Sequence, residues 1–220
     1  MKHITKIFAA SLLAFLFAGN AWSGIIYDGN DNPNQQGGVN FGDFAYADDF
    51  IIGGEGSAVI NDAHFYTLEP IESSVAERTV YYAFYDNAVD PQVGDVPGDI
   101  LALNIASYSK APTGVLAFGD QYVEYEYSFD LVDDLLVDRG SRYWFTVYIV
   151  NATDIFWETA NSTLDPNTPA ARGPRQLNGP WAHTRGDLAF YLTGNLIPVP
   201  GPLPLLLLGG GLLALRLRRR

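Results

Sequence analysis

QYVEYEYSFDL, residues 121–131, is the stretch whose reading decides the fold class. Taken at alternate positions, Val123, Tyr125, Tyr127, Phe129 and Leu131 form one row, and Tyr122, Glu124, Glu126, Ser128 and Asp130 form the other. Side chains of a strand alternate between its two faces, so this is a strand with one face buried and one in water. In ERTVYYAFYD, residues 77–86, both rows are apolar or amphipathic: Val80, Tyr82 and Phe84 on one, Thr79, Tyr81, Ala83 and Tyr85 on the other. A strand that must hide both faces belongs at the centre of a sheet.

Working outward, the same alternation predicts strands over 44–52, 58–68, 100–109, 142–150, 154–159 and 187–194. Turn residues such as Gly53-Gly54 and Asp138-Arg139-Gly140 bound them. No helical periodicity runs between the chain ends, and no 20–50-residue repeat suggests a solenoid or propeller. About eight strands at this spacing predict an all-β fold, one antiparallel jelly-roll-like β-sandwich over residues 24–196. Two segments rich in Pro and Gly, 86–99 and 160–180, read as long loops.

The 220 residues carry a formal net charge of −12, unevenly spread. Six of the 13 basic residues lie at the two ends, and residues 24–197 hold the other seven against all 25 acidic ones, a formal −18. Such a surface repels phosphates, so nucleic acid is not an expected partner. With no cysteine, the fold must rest on its core. Residues 1–23 combine Lys2 and Lys6, an apolar stretch from Ile7 to Ala18, and Ala21-Trp22-Ser23. That order predicts a signal helix cut by signal peptidase between Ser23 and Gly24.

Catalytic patterns are scarce. His64 and His183 lack metalloenzyme spacing, and Ser57 in GGEGSAV lacks the G-x-S-x-G nucleophile pattern. Acidic pairs such as Asp48-Asp49, Asp133-Asp134 and Glu124 with Glu126 are numerous, but a glycosidase needs two carboxyls held across a cleft. Asp28, Asn30 and Asn32 open like a calcium loop; Pro33 then stands where glycine is needed and Val39 where glutamate should close it. The alternative reading there is a solvated loop, with no cofactor. Trp144, Trp157 and Trp181 could stack sugar rings, although core filling is the commoner use of such residues. Asn151-Ala152-Thr153 and Asn161-Ser162-Thr163 match the glycosylation pattern.

The C-terminus, IPVPGPLPLLLLGGGLLALRLRRR, residues 197–220, has no charge before Arg216. Its prolines delay any helix to about Leu203, leaving about 15 residues, or roughly 22 Å, against a hydrocarbon core of roughly 30 Å. Nine leucines favour insertion, three central glycines weaken the helix, and Arg216, Arg218, Arg219 and Arg220 hold the end on the cytoplasmic side. This predicts a short transmembrane helix with the acidic body facing outward. Proline spacer, short apolar helix and arginine stop together resemble the PEP-CTERM sorting signal of Gram-negative bacteria, especially its Val-Pro-Leu-Pro-Ala variant, on Ile197, Pro198, Val199, Pro200 and Gly201. The resemblance implies recognition and cleavage by the membrane protease exosortase, with release or re-anchoring at the surface of a cell that often makes exopolysaccharide. FAYADDFII (44–52), SRYWFTVYI (141–149) and GDLAFYLTGN (186–195) resemble recurring strands of exported bacterial domains that pair such tails with a β-sandwich.

Taken together, the expectation is a non-enzymatic exported protein displayed on or released from the cell surface. The alternative is a carbohydrate-binding module, which needs at least two coplanar rings on a solvent face. A third reading, a hydrolase, needs two facing acids with perturbed pKa values.

Overall fold

A computed structural model describes residues 24–29, 33–42, 44–72, 78–152, 154–160, 170–173, 180–184 and 186–199. Among them the fold is all-β, thirteen strands in two antiparallel sheets, with no helix. The chain runs β1 (Gly24–Asp28), β2 (Pro33–Asn40), β3 (Ala45–Ile51), β4 (Ser57–Pro70) and β5 (Val80–Asp90). It continues through β6 (Gly94–Ile105), β7 (Tyr108–Ala117), β8 (Tyr122–Asp138), β9 (Arg142–Ile149) and β10 (Phe156–Ala160). Three further strands close it: β11 (Ala171–Gly173), β12 (Ala182–His183) and β13 (Phe190–Ile197). The first sheet holds β1, β13, β4, β10 and β2 in order, with β8 on the other side of β4 and β7 beyond β8. The second runs β12-β11-β3-β9-β5-β6.

The core between the sheets is aromatic. Phe65, Tyr127, Phe129, Trp157 and Phe190 of the first sheet meet Phe50, Tyr82, Phe84 and Phe145 of the second. Phe145 lies 5.2 Å from Phe190 and 5.9 Å from Trp157, centroid to centroid. Tilted and edge-on ring pairs at such separations add to plain burial. One charged cluster is built into this interior. Glu69, 1% exposed, accepts from Lys110 Nζ at 2.7 Å, the Tyr127 hydroxyl at 2.7 Å and the Thr67 hydroxyl at 3.3 Å. The Lys110 ammonium also lies 4.0 Å from the Tyr125 ring centroid.

Residues 121–131 fall almost wholly in β8, with Tyr127, Phe129 and Leu131 buried as their row requires. Glu124, on the row read as wet, is only 3% exposed, opposite the equally buried Leu68 of β4. β5 is central between β9 and β6, with Tyr82 and Phe84 in the main core and Ala83 and Tyr85 in a second cluster on the outer face of its sheet.

The expected loop over 86–99 is instead the end of a hairpin, in which β5 and β6 stay paired from Tyr81↔Ile105 to Asp90↔Gly94. Pro97 and Gly98 are tolerated because β6 is the last strand of the sheet, where a missing N–H breaks no ladder. Asn87 Nδ2 donates to Asp95 Oδ1 at 2.7 Å and the Asp99 N–H to Asp86 Oδ1 at 2.6 Å, and both hold the hairpin. The expected strand 100–109 is two strands, since the chain turns at Ala106-Ser107 between β6 and β7. Part of the expected loop 160–180 is strand: β11 pairs with β3. The stretch after Asp28 likewise yields β2, paired with β10. The signal helix, including Ala21 and Ser23, and residues 200–220, including Pro200, Gly201, Arg216, Arg218, Arg219 and Arg220, lie outside the described residues.

Candidate functional site

The wet row of β8 becomes a site only through its neighbours. Register places Thr193, Asp62 and Asp130 side by side across β13, β4 and β8. The next rung outward is Tyr191, His64, Ser128 and Ser109, and the one after is Tyr66 beside Glu126. Even spacing along β4 and β8 puts all of these on the outer face of the first sheet, because Ala63, Phe65, Tyr127 and Phe129 point into the core. Asp62, His64, Ser107, Tyr108, Ser109, Ser128, Phe129 and Asp130 line an open groove of about 530 Å³ there.

The groove is internally organised. His64 Nδ1 lies 3.1 Å from Glu126 Oε1, which also accepts the Tyr191 hydroxyl at 2.7 Å. The His64 and Tyr191 rings stack at 4.1 Å with planes 10° apart. The Ser109 and Ser128 hydroxyls are 2.6 Å apart, and the Thr193 hydroxyl donates to Asp62. Asp62 and Asp130 are direct cross-strand partners, an unfavourable place for like charges. A hydrogen bond to Asp62, then the charge of Asp62, raises the Asp130 carboxyl above its ordinary range, while His64 works the other way.

Chemically, this face offers hydroxyls, carboxylates and an imidazole at the surface of a rigid sheet, suited to hydrogen-bonding a polar ligand. Its Asp pair is in hydrogen-bond contact, whereas the two carboxyls of a glycosidase stand ~5–9.5 Å apart. The stacked His64 and Tyr191 rings are parallel but turned toward each other, so each covers one face of the other.

Trp144 and Trp157 fill the core, the commoner of the two uses open to them, and form no platform for sugars. Trp144 and Trp157 are both 0% exposed. Trp157 fills the centre of the main core, and its indole N–H donates to the Ala189 carbonyl at 3.1 Å. Trp144 anchors the outer cluster of the second sheet and donates to Asn87 Oδ1 at 2.9 Å. In a cysteine-free sandwich these large rings contribute core bulk beside aliphatic residues such as Ile60, Ile149, Leu188 and Leu192. Trp181 is half-buried, edge-on to Tyr85 at 5.6 Å and packed over Gly173, where a Cβ would sit 2.8 Å from its ring.

A second polar spot lies at the edge of the core. A crevice of about 270 Å³ is lined by Tyr27, Gly29, Asp48, Asp49, Phe50, Ile51 and Asp187. Asp48 stands between Tyr46 and Phe50 on the inner face of β3, 2% exposed, and its Oδ2 accepts the Leu188 N–H at 2.7 Å. Burial lifts its carboxyl well above the usual range. The Leu188 bond opposes that, and the charges of Asp187 and Asp49 reinforce it. This bond ties β3 to Leu188, two residues ahead of β13, across the sandwich. Asp49 points outward and pairs with Arg142.

Of the three candidate calcium ligands, Asp28 ends β1, exposed, and Asn30 and Asn32 lie outside the described residues. Among the described residues no three acidic, histidine or cysteine side chains are grouped to hold a metal ion. His183 instead contacts the Asp95 carbonyl at 2.7 Å. Comparison with protein families, with curated proteins and with solved structures gives no match for this chain.

Proposed function

We propose that this is an exported, jelly-roll-like β-sandwich protein, displayed at or released from the cell surface through its C-terminal tail, that acts by binding and not by catalysis. Export would proceed through signal peptidase at Ser23–Gly24, and the outward-facing body would be held by the tail until an exosortase-type protease acts at Ile197–Gly201. The observation that supports this reading is where the sheet stops. Ile197 forms the last rung of β13 against Ser57, and Val199, two residues on, is 55% exposed. The ladder therefore ends at Ile197, the first residue of the proline motif. Intact-mass measurement on protein from its native host tests it: a species lacking the first 23 and about the last 20 residues is expected. Unprocessed chain in the cytosol would overturn it.

A second reading, a carbohydrate-binding module, is favoured by the groove on the first sheet. Its recognition would run through Glu126, His64, Ser128 and Asp130 and not through tryptophan. The formal −18 of the body disfavours acidic polymers, so the expected ligand is a neutral glycan of the exopolysaccharide. Polysaccharide arrays probed with the wild-type chain and with Glu126→Gln test this. Glu126→Gln should weaken binding, and failure of the wild type on every glycan removes the reading.

A further inference from the structure

A buried carboxylate oxygen with nothing to bond is costly, and a fold normally supplies it with partners. Glu69 is answered in that way, by Lys110 and two hydroxyls. Asp48 has no such answer. It points inward from β3 and lines the crevice shared with Tyr27 and Gly29, 2% exposed, with its Oδ2 engaged by the Leu188 N–H. Its Oδ1 is buried and meets no hydrogen-bond donor.

The surroundings of that oxygen define what it can take. No residue lining the crevice is basic, and Asp49 and Asp187 line it beside Asp48. The Asp49 side chain is turned outward to Arg142, whereas the charge of Asp187 bears on Asp48 itself. β11 covers β3 only as far as Ala47, so among the described residues β9 alone pairs with β3 from Asp48 to Ile51. The other edge of that stretch faces Tyr27, whose hydroxyl donates to the Asp49 carbonyl at 3.2 Å. Main-chain oxygen is therefore presented to the crevice as well, and a carbonyl that accepts one bond keeps a second lone pair. Side chain and backbone alike offer acceptors here, within a volume of about 270 Å³.

We infer that this crevice is a calcium site, with Asp48 Oδ1 and the Asp187 carboxylate as its charged ligands and the Asp49 carbonyl as a third oxygen. Ca²⁺ takes roughly 6–8 oxygens, carboxylate, main-chain and water mixed, in irregular geometry. Mg²⁺ demands a near-octahedral shell and sheds water reluctantly, so a one-sided cleft of this kind selects the larger ion. No third acidic side chain is grouped with this pair among the described residues, and water completes the shell. So few charged ligands place the dissociation constant at ~10⁻⁴–10⁻³ M, the range of extracellular modules. The ion joins β3 of the second sheet to the segment leading into β13 of the first, beside the Leu188 bond, in a sandwich that has no disulfide to do so. Neither Asp48 nor Asp187 belongs to the calcium-like pattern that opens at Asp28. The site lies in the body and does not depend on how the tail is processed.

Melting of the full chain in detergent, stripped with EDTA and then given CaCl₂ at constant ionic strength, tests the inference. At about 10 mM, ~10–100 times the dissociation constant, Ca²⁺ should raise Tm by ~3–10 °C, and Mg²⁺ at the same concentration far less. Asp48→Asn keeps an acceptor for the Leu188 N–H while removing the charge, and it should abolish the shift. Asp187→Asn, at a half-buried position, should abolish it too, and it decides the matter if Asp48→Asn fails to fold. Asp134→Asn removes the same charge from an exposed position on β8 and should leave the shift intact, which separates a site from general screening of the acidic body. Isothermal titration should find a single Ca²⁺ per chain in the wild type and none in Asp187→Asn. A wild-type Tm that responds to Ca²⁺ no more than to Mg²⁺ overturns the inference. So does a shift that survives Asp187→Asn, or one that Asp134→Asn diminishes equally.

Discussion

Replacing Trp157 separates a core residue from a sugar platform by measurement. Its side chain is 0% exposed, and its ring lies 5.9 Å from both Phe65 and Phe145, 6.1 Å from Phe41 and 6.3 Å from Phe190. Truncating such a residue to alanine removes its transfer free energy and leaves a cavity, a cost of ~3–5 kcal/mol. Against a total stability of ~5–15 kcal/mol that is a large share, and at ~2–4 °C per kcal/mol for a domain of this size it lowers Tm by ~6–20 °C. Trp157→Phe keeps most of the bulk but loses the bond to the Ala189 carbonyl. That carbonyl also accepts the Tyr66 N–H at 3.2 Å, so it is not left bare, and the loss sits near the low end of ~1–3 kcal/mol. The expected order of damage is Trp157→Ala, then Trp157→Phe, then Trp181→Ala, whose half-exposed ring loses less burial. Thermal melts and urea titrations of the three variants, beside polysaccharide binding, give the answer. If Trp157→Ala keeps the wild-type Tm and loses only glycan binding, the placement of this ring in the core is wrong.

Three further outcomes are expected. Lys110→Met strips Glu69 of its cation while leaving it buried on two hydroxyls, and should cost about 3 kcal/mol in urea unfolding, the lower end of the ~3–5 found for breaking a buried pair. Asp130→Asn should raise Tm at pH 7. Asp62 makes the folded state hold the Asp130 proton more tightly than the unfolded chain does, so wild-type stability falls as pH rises from the ordinary Asp value of ~3.9 through the raised one; the advantage of the variant should vanish below about pH 3.5. Gly194→Ala should fail to yield folded protein by circular dichroism, because the added Cβ would overlap the Val59 carbonyl of β4 beside the register break at Gly194.

How far the site could be read in advance depends on range. The alternation in residues 121–131 correctly marked Glu126, Ser128 and Asp130 as one face of one strand, since that follows from strand geometry within a few residues. It carried no information about Asp62, His64, Thr193 or Tyr191, which reach that face through pairings 62 to 131 residues apart. His64, which lacks metalloenzyme spacing in the chain, has a carboxylate and a stacked tyrosine beside it in the fold. Glu124 reads as wet by parity and is buried in the fold.

The hairpin of β5 and β6 shows the same limit from the other side. Pro91 does lie in the turn, but Pro97 and Gly98 also look like loop chemistry, and only a position at the sheet edge makes them compatible with a strand. Strand type, the two-faced burial of β5 and the acidity of the body come from residue order alone, because they rest on backbone periodicity and composition. Which tryptophans are covered and which carboxyls share a rung are set by contacts between distant strands. Those energies exist only once the two sheets have closed on one another.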